Sequence, residues 1–285
     1  MASGNVYLTV QGISPIIVAC MPEHAVARAA AEVPLLDVER GLDATRVLLV
    51  GEIHGTVECP AVFGDLVFAA ARRGPVSAGV ALPSTEQAEL EQFFAAPDDP
   101  ERRARWLARP LFTTRRQDGR TSRAMMGLLD RLARYRAQGL PVEIFAFDLP
   151  PDSDLSDEAR DTHMATIVAE RAWDRTRRVM ALMGNVHNQL DHSTPWAPEF
   201  RTAGMQLRDL LVDDDLRALT LDWVTGTAWQ ATEHGIGEHV SNGFQLAPAG
   251  SVLVERAYDG APWHHAILNL GTLHASPPAV APDRA

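Results

Sequence analysis

The chain has 285 residues with 37 acidic and 26 basic side chains, and every basic one is arginine because the sequence contains no lysine. This absence excludes Schiff-base enzymes, P-loop nucleotide-binding proteins and protein kinases, each of which needs a lysine amine. The net charge of -11 argues against a nucleic-acid or anionic-membrane partner, and a hydrophobic content of 46% is ordinary for a globular protein.

Seven short apolar runs have the length and composition of buried parallel strands. They are Arg46–Val50, Val76–Leu82, Val142–Phe147, Val179–Met183, Ala218–Leu221, Ser251–Val254 and Ala266–Leu270. Helical patterns separate many of these runs, as at Cys59–Arg73, Thr121–Gln138 and the stretches after Ser84 and Ser156. This alternation predicts an α/β fold with a mainly parallel central β-sheet flanked by helices.

One connection is far longer than a single crossover needs. It runs from Leu82 to Val142 and has the pattern of about three helices. We therefore expect a single α/β domain over residues 1–285, with a helical insertion at about 84–139 that forms a lid or wall over the edge of the sheet. The Pro/Ala-rich segment 275–285 is expected to be disordered.

Cysteine usage and the N-terminal region favour a cytoplasmic location. The two cysteines, Cys20 and Cys59, are too few for a disulfide framework. The apolar stretch from Ile13 to Met21 precedes the first basic residue, Arg28, whereas a secretory signal has its positive charge before the apolar run.

Acidic and imidazole side chains follow three of the predicted strands directly. Glu52, His54 and Glu58 follow the first, Asp148 follows the third, and His187 follows the fourth. Ligands of open α/β sheets bind at the carboxyl ends of the strands, so we expect these side chains to meet in one crevice.

Two chemistries fit such a group. His54 can act as a general base whose tautomer is set by Glu52 or Glu58. Alternatively, Glu52, His54 and His187 can be ligands of a divalent metal ion that activates water.

Five segments of the chain resemble the erythromycin esterase/ChaN/Tiki superfamily over most of its length, from about Val47 to about Ala279. They are GEIHGTVECP, VALPSTEQAELEQFF, DGRTSRAM, FAFDLP and MGNVH. A GExHG motif followed by a distant GNxH is a fairly specific pair. The resemblance implies a parallel-sheet core with a helical subdomain. The branches of the superfamily differ in activity: one hydrolyses a macrolactone with a histidine base, one resembles metal-dependent peptidases, and one binds haem.

The resemblance also assigns residues. Glu52 and His54 match the GExHG motif, His187 matches the second GxxH histidine, and Asp118 and Arg120 match a DGR segment. Together with Asp148, the latter two are candidate substrate-binding residues, because the fork of Arg120 suits a carboxylate or phosphate.

One position departs from the superfamily. Ala81 stands where relatives carry a carboxylate, as in LEIP. The two GxxH motifs at neighbouring strand ends make a hydrolase of an ester or amide bond in a small molecule or peptide the first hypothesis. The missing carboxylate and the expected cytoplasmic location suit its variant, a tailoring enzyme in a biosynthetic pathway. The alternatives are a haem-binding protein, with a histidine or one of Tyr7, Tyr135 and Tyr258 as axial ligand, and a catalytically inactive relative.

The remaining candidates are expected to be structural. Cys59 is expected to pack in the core, and the arginine runs at 102–105 and 115–116 to lie on solvated surfaces. Five histidines of the C-terminal region are also expected to be structural: His234, His239, His264, His265 and His274. The last of these, His274, ends a third GxxH sequence.

Overall fold

The computed structural model describes residues 6–8, 45–114, 117–150, 153–191, 199–211, 215–250, 252–255 and 265–281. In chain order, their strands are β1 (Val6–Leu8), β2 (Val47–Glu52), β3 (Val76–Pro83), β4 (Val142–Asp148), β5 (Arg178–Gly184), β6 (Leu216–Asp222), β7 (Thr225–Thr232), β8 (Gly235–Val240), β9 (Val252–Glu255), β10 (His265–Asn269) and β11 (Thr272–Leu273).

Eight of these strands form one sheet in the order β1-β9-β10-β6-β2-β5-β3-β4. The six strands from β10 to β4 are parallel, which confirms the predicted α/β fold with a mainly parallel sheet. The chain continues from β2 toward β3 and β4 on one side and later adds β6 on the other. Strand β2 therefore lies where the strand order reverses, the position at which open α/β sheets bind ligands.

Helices cover both faces of this sheet. They are α1 (Glu58–Ala71), α2 (Gln87–Ala95), α3 (Pro100–Leu107), α4 (Pro110–Thr113), α5 (Arg123–Ala137), α6 (Asp157–Trp173) and α7 (Ala203–Leu210). Within β2, Leu48 and Val50 pack with α1 and α5, whereas Val47 and Leu49 pack with α6 and α7. Successive side chains of a strand point to opposite faces, so a strand buried on both sides is a continuous apolar run.

The segment between β3 and β4 contains helices α2 to α5. Its interior is an aromatic group in which the rings of Phe93 and Trp106 have centroids 6.1 Å apart, and those of Trp106 and Phe112 lie edge to face at 5.2 Å. These side chains belong to the same core as the α1 face of the sheet. No helix in the described ranges is both long enough and apolar enough to cross a membrane.

A second, three-stranded sheet has the order β11-β7-β8. Strands β7 and β8 form an antiparallel hairpin, and β11 pairs with β7 in parallel. The sequence pattern did not predict this hairpin, because its strands carry glycine and polar residues and most of their side chains are exposed or partly exposed.

The prediction for one strand was wrong in direction. The run Ser251–Val254 corresponds to β9, which pairs antiparallel with both β1 and β10. A parallel pair needs a crossover of a dozen or more residues, and β9 is followed too closely by β10 for such a connection.

The prediction of a disordered C-terminal tail was wrong for residues 275–281. Ala275 forms a β-bridge with Thr56, and Pro278 forms one with Ser122. These contacts satisfy backbone groups that a proline-rich composition does not reveal, and they connect the tail to the first motif and to the start of α5. The last four residues lie outside the described part of the chain.

Candidate functional site

The first motif forms a hydrogen-bonded histidine–carboxylate pair at the end of β2. Nδ1 of His54 lies 2.9 Å from Oε1 of Glu52, whose side chain is 1% exposed. An ionised carboxylate only accepts hydrogen bonds, so Nδ1 of a neutral His54 carries the proton and Nε2 keeps its lone pair. Glu52 is therefore the carboxylate that orients the His54 ring, and Nε2 is the ring nitrogen left available.

Glycine is required where the chain turns after His54. Gly55 has a φ of +72°, and a β-carbon there would lie 2.1 Å from the carbonyl oxygen of Trp229 on β7. The backbone N–H of Trp229 in turn donates to the carbonyl of Gly55 at 2.9 Å. The second sheet is thus bonded directly to the first motif, and the close contact explains the glycine of GExHG.

The second motif forms an equivalent pair that the sequence did not predict. Nδ1 of His187 lies 2.8 Å from Oδ1 and 3.0 Å from Oδ2 of Asp161, a fully buried residue of α6. Oδ2 of Asp161 also accepts the backbone N–H of Ala203 at 2.7 Å. The carboxylate is therefore fixed from two directions and leaves Nε2 of His187 as the available ring nitrogen.

The two imidazole rings converge over Gly184, the last residue of β5. A β-carbon at this position would lie 3.4 Å from Nε2 of His54 and 3.9 Å from Nε2 of His187. Gly184 pairs with Glu52 in the parallel register of β5 and β2, so the sheet itself sets the alignment. Both free ring nitrogens therefore lie next to one small space at the carboxyl edge of the sheet.

An ion-pair network surrounds Asp148 at the end of β4. NH1 of Arg120 and NH2 of Arg160 each lie 2.6 Å from Oδ2 of Asp148, which is fully buried. NH2 of Arg120 also lies 2.6 Å from Oδ2 of Asp118. Asp148 is fully buried and bonded to two arginines, so the contacts of the structure give it a role in holding Arg120 and Arg160, and a substrate-binding role stays a prediction.

Two carboxyl groups of this network have lowered pKa values. Burial opposes ionisation of Asp118, but the charge of Arg120 and its hydrogen bonds outweigh that effect and hold the pKa below 3.8. Burial likewise opposes ionisation of Asp148, and the hydrogen bonds from Arg160 with the charge of Arg120 lower its pKa. Both groups are therefore ionised at neutral pH.

The Asp118–Arg120 segment lies against the first motif. A β-carbon on Gly119, whose φ is +93°, would lie 2.3 Å from the backbone nitrogen of Gly55. The side chain of Arg120 is 12% exposed and is already bonded to two carboxylates. The backbone of Gly119 thus packs against the turn after His54, and binding of a substrate by Asp118 or Arg120 stays a prediction.

Comparisons with known proteins were made for the sequence and for the structure. No protein-family model and no curated protein matches the sequence. Several solved structures do match the fold, among them the following three. A succinoglycan biosynthesis protein has a TM-score of 0.63 at 9% identity, with 85% of this chain and 91% of that chain covered. A protein from Bacillus cereus has a TM-score of 0.55 at 8% identity, with 85% and 92% covered.

The third match is a mutant of erythromycin esterase EreC in its open conformation, with a TM-score of 0.62 at 11% identity, covering 89% of this chain and 98% of that chain. The chain has the fold of these proteins. The resemblance predicted from the motifs is therefore confirmed at the level of the fold, and the identities are too low to carry an activity.

Glu58 has a different partner from the one predicted. Its Oε1 lies 3.1 Å from Nδ1 of His274, and its Oε2 accepts the backbone N–H of His274 at 2.9 Å. The third GxxH sequence thus contacts the first helical turn after the first motif. The carboxylate bonded to His54 is Glu52, so Glu58 anchors the C-terminal segment.

Three other C-terminal histidines lie in the described part of the chain, and none is bonded to His54 or His187 in the contacts given for it. His265 is buried in β10 and lies 2.8 Å from the hydroxyl of Thr220. His234 and His239 belong to the hairpin, where Nε2 of His239 lies 3.0 Å from the carbonyl of Gly235. His264 and the run 115–116 lie outside the described residues.

The metal hypothesis was tested on the donor atoms of the site. Nδ1 of both His54 and His187 is hydrogen-bonded to a carboxylate, as is common for metal-binding histidines. However, the described residues contain no group of three or more His, Cys, Asp or Glu side chains placed to hold a metal ion. Metal binding by Glu52, His54 and His187 therefore stays a prediction.

The haem hypothesis named a histidine or one of three tyrosines as the axial ligand. Tyr135 lies on α5, where its ring is 5.0 Å from that of Phe68 and its hydroxyl bonds to Arg131. Tyr7 belongs to β1, a strand for which the structure describes the backbone only. Tyr258 lies outside the described residues.

Two further residues singled out in the sequence, Ala81 and Cys59, lie in apolar surroundings. Ala81 is buried in the core on the α6 face of the sheet with Phe147 and Met164. Cys59 is fully buried at the start of α1, and burial raises the pKa of its thiol to about 12, with the nearby charge of Glu52 adding to the effect. A protonated, inaccessible thiol is unreactive, so Cys59 is a packing residue.

Proposed function

We propose that the chain is a hydrolase that uses water to cleave an ester or amide bond. The observation that carries this proposal is the convergence of two carboxylate-bonded imidazoles, Glu52–His54 and Asp161–His187, over Gly184. A histidine oriented by a carboxylate is the recurring base of acyl-transfer enzymes. The EreC structure that shares this fold is named as an esterase, which supports the same reaction class.

In the first step, Nε2 of His54 removes a proton from a water molecule while the water oxygen bonds to the carbonyl carbon. The adjacent Glu52 stabilises the imidazolium that forms. His187 acts on the other side of the same space. Its protonated form donates Nε2–H to the carbonyl oxygen as negative charge develops there, and Asp161 stabilises the positive ring.

In the second step, the bond to the leaving group breaks, and the leaving oxygen or nitrogen takes the proton from His54. The products are a carboxylic acid and an alcohol or amine, and both histidines return to their starting states. Each chemical role is thus filled by a residue of the described site.

The substrate proposed is a small molecule or peptide. Ala81 supplies an apolar side chain where the superfamily has a carboxylate, so the reaction has one proton carrier fewer than in relatives. This difference favours a tailoring step in a biosynthetic pathway, and the arginine of the DGR segment favours a substrate with a carboxylate or phosphate group.

Activity against a panel of p-nitrophenyl esters, aminoacyl amides and macrolactones tests the proposal. We expect turnover of at least one class, with a loss of about 10²–10⁴-fold in kcat in His54→Ala and His187→Ala. The matched control is His234→Ala at the tip of the hairpin, where the ring is exposed. Equal hydrolysis by wild type and His54→Ala would falsify the mechanism.

The metal-assisted and haem-binding alternatives make different predictions. Metal assistance requires stoichiometric metal in the wild type that is lost in His54→Ala, as measured by elemental analysis of both proteins. Haem binding requires a Soret shift on titration with haemin. A protein that shows the Soret shift and hydrolyses nothing belongs to the second alternative.

A further inference from the structure

A cavity of about 290 Å³ lies at the edge of the sheet opposite the two histidines. It is formed where β2, β3 and β5 begin, whereas the histidine pairs lie where β2 and β5 end. A strand of six residues spans about 20 Å, so the cavity is separate from the candidate active site. None of the residues discussed for hydrolysis contributes to its lining.

The lining is strongly basic. Nine described residues line the cavity, and five of them are arginines: Arg46, Arg73, Arg175, Arg177 and Arg178. The other four lining residues are uncharged. A basic lining of this kind in a chain of net charge -11 is a local region that attracts anions.

Acidic partners lie beside the arginines and outside the lining. Arg46 bonds to Asp215 at 2.9 Å, and Arg177 bonds to Glu143 at 2.9 Å. These pairs fix the positions of two guanidinium groups, as in sites where binding arginines are held in place before the ligand arrives. An anion that enters the cavity therefore meets guanidinium groups that are already ordered.

One lining arginine carries a buried donor that the fold leaves unused. Nε of Arg46 is buried and has no hydrogen-bond partner among the described residues. Because Nε has almost no accessible surface, it does not face the cavity, and the donors that Arg46 can offer to a ligand are its terminal NH groups.

We infer that this cavity binds a small phosphate-bearing ligand. Guanidinium groups present a planar fork of donors that matches phosphate oxygens, and each phosphate offers more charge and more acceptors than a carboxylate of similar size. The volume is at the lower end of the range for small-molecule sites, which suits one or two phosphate groups with a short substituent. This inference does not depend on the proposed hydrolysis.

Inorganic pyrophosphate is the probe, titrated by calorimetry and followed by thermal denaturation at constant ionic strength. We expect saturable binding with one site per chain and a rise in Tm, since a ligand of the folded state stabilises it. Arg175→Gln and Arg73→Gln, two exposed lining positions, are expected to weaken binding at least tenfold. Because both are exposed, they test the cavity without depending on buried contacts.

Two controls define the result. Arg134→Gln, an exposed arginine of α5 outside the cavity, and His54→Ala are each expected to bind pyrophosphate as the wild type does. Loss of binding in Arg134→Gln as large as in the lining variants overturns the assigned position. Citrate that binds as tightly as pyrophosphate overturns the phosphate class, and no saturable binding of pyrophosphate overturns the site.

Discussion

His187 at the end of β5 is held by Asp161, a residue 26 positions earlier on helix α6, through a contact of 2.8 Å between Nδ1 and Oδ1. The carboxylate is buried and its second oxygen accepts the N–H that opens α7. One side chain therefore connects a strand end, a helix and the second motif, which makes Asp161 a positioning residue for His187.

Asp161→Asn tests that role. The Asn oxygen can still accept from Ala203, which turns the amide N–H toward Nδ1 of His187. Nδ1 then loses its proton, and the ring loses the carboxylate that stabilises the protonated form, which is the form that acts on the carbonyl oxygen in the proposed mechanism. We expect kcat to fall by about 10²–10⁴-fold with little change in KM. The ¹⁵N shifts of the His187 ring report the tautomer independently. Asp157→Asn, in the first turn of α6, is the control, and an unchanged ring spectrum in Asp161→Asn contradicts the assignment.

Gly184→Ala probes the space between the rings. The added methyl would lie 3.2 Å from Cδ2 of His187 and 3.4 Å from Nε2 of His54, where we place the attacking water. We expect kcat to fall by about 10²-fold with the fold retained, because displacements of about 1 Å at reacting groups have this effect. Gly127→Ala, whose new methyl meets open space on α5, is the control. Full activity in Gly184→Ala contradicts the proposed place of the water.

The sequence predicted the parts of the site that are local in the chain. The apolar runs of β2 and β5 identified the strands, and the residues that follow them identified Glu52, His54 and His187, because the carboxyl ends of parallel strands meet at one edge. Asp161 was missed because its position within a polar stretch of α6 is typical of an exposed helical residue. Its burial depends on the packing of α6 against α7, which no local pattern contains.

The same limit explains the missed hairpin and the partner of Glu58. Strands β7 and β8 are mostly exposed, so they have no apolar alternation to recognise. Glu58 and His274 are 216 positions apart, and their contact depends on the C-terminal segment returning to the first motif. The predicted parallel direction of β9 was wrong because an isolated apolar run does not specify which neighbouring strand it pairs with.

The Asp148 network makes stability depend on pH in the acidic range. The folded-state pKa of Asp148 lies below its unfolded value near 3.8, so the unfolded chain takes up the proton first as pH falls. The stabilisation is complete above that value and is lost as pH falls below it toward the folded-state pKa. Urea denaturation between pH 2 and pH 7 measures this slope.

In Asp148→Asn we expect the slope to become shallower and the stability at pH 7 to fall by about 3–5 kcal/mol, because Arg120 and Arg160 lose a buried partner. Asp154→Asn, at an exposed position, serves as the control. An unchanged slope in Asp148→Asn shows that other carboxyl groups dominate acid unfolding.

The thiol of Cys59 is expected to resist alkylation in the native protein. With its pKa raised to about 12, the thiolate fraction at pH 8 is about 10⁻⁴, and the side chain is fully buried. Peptide-level mass spectrometry after iodoacetamide treatment, with and without denaturant, measures the modification. Native labelling of Cys59 at the rate seen in denaturant contradicts a packing role.

Glu58→Ala separates an anchoring role from a catalytic one. Glu58 accepts both the ring and the backbone N–H of His274, whose own carbonyl accepts the backbone N–H of Val57 at 2.9 Å. Removing the carboxylate is therefore expected to destabilise the fold by about 1–3 kcal/mol through lost hydrogen bonds, with kcat within about twofold of wild type. Denaturation midpoints and initial rates at a temperature well below Tm distinguish the two roles.

A loss of kcat as large as that of His54→Ala at unchanged stability would return Glu58 to the catalytic group. His274→Ala, which removes the ring and keeps the backbone contacts, is expected to have the smaller effect on stability because that side chain is 71% exposed.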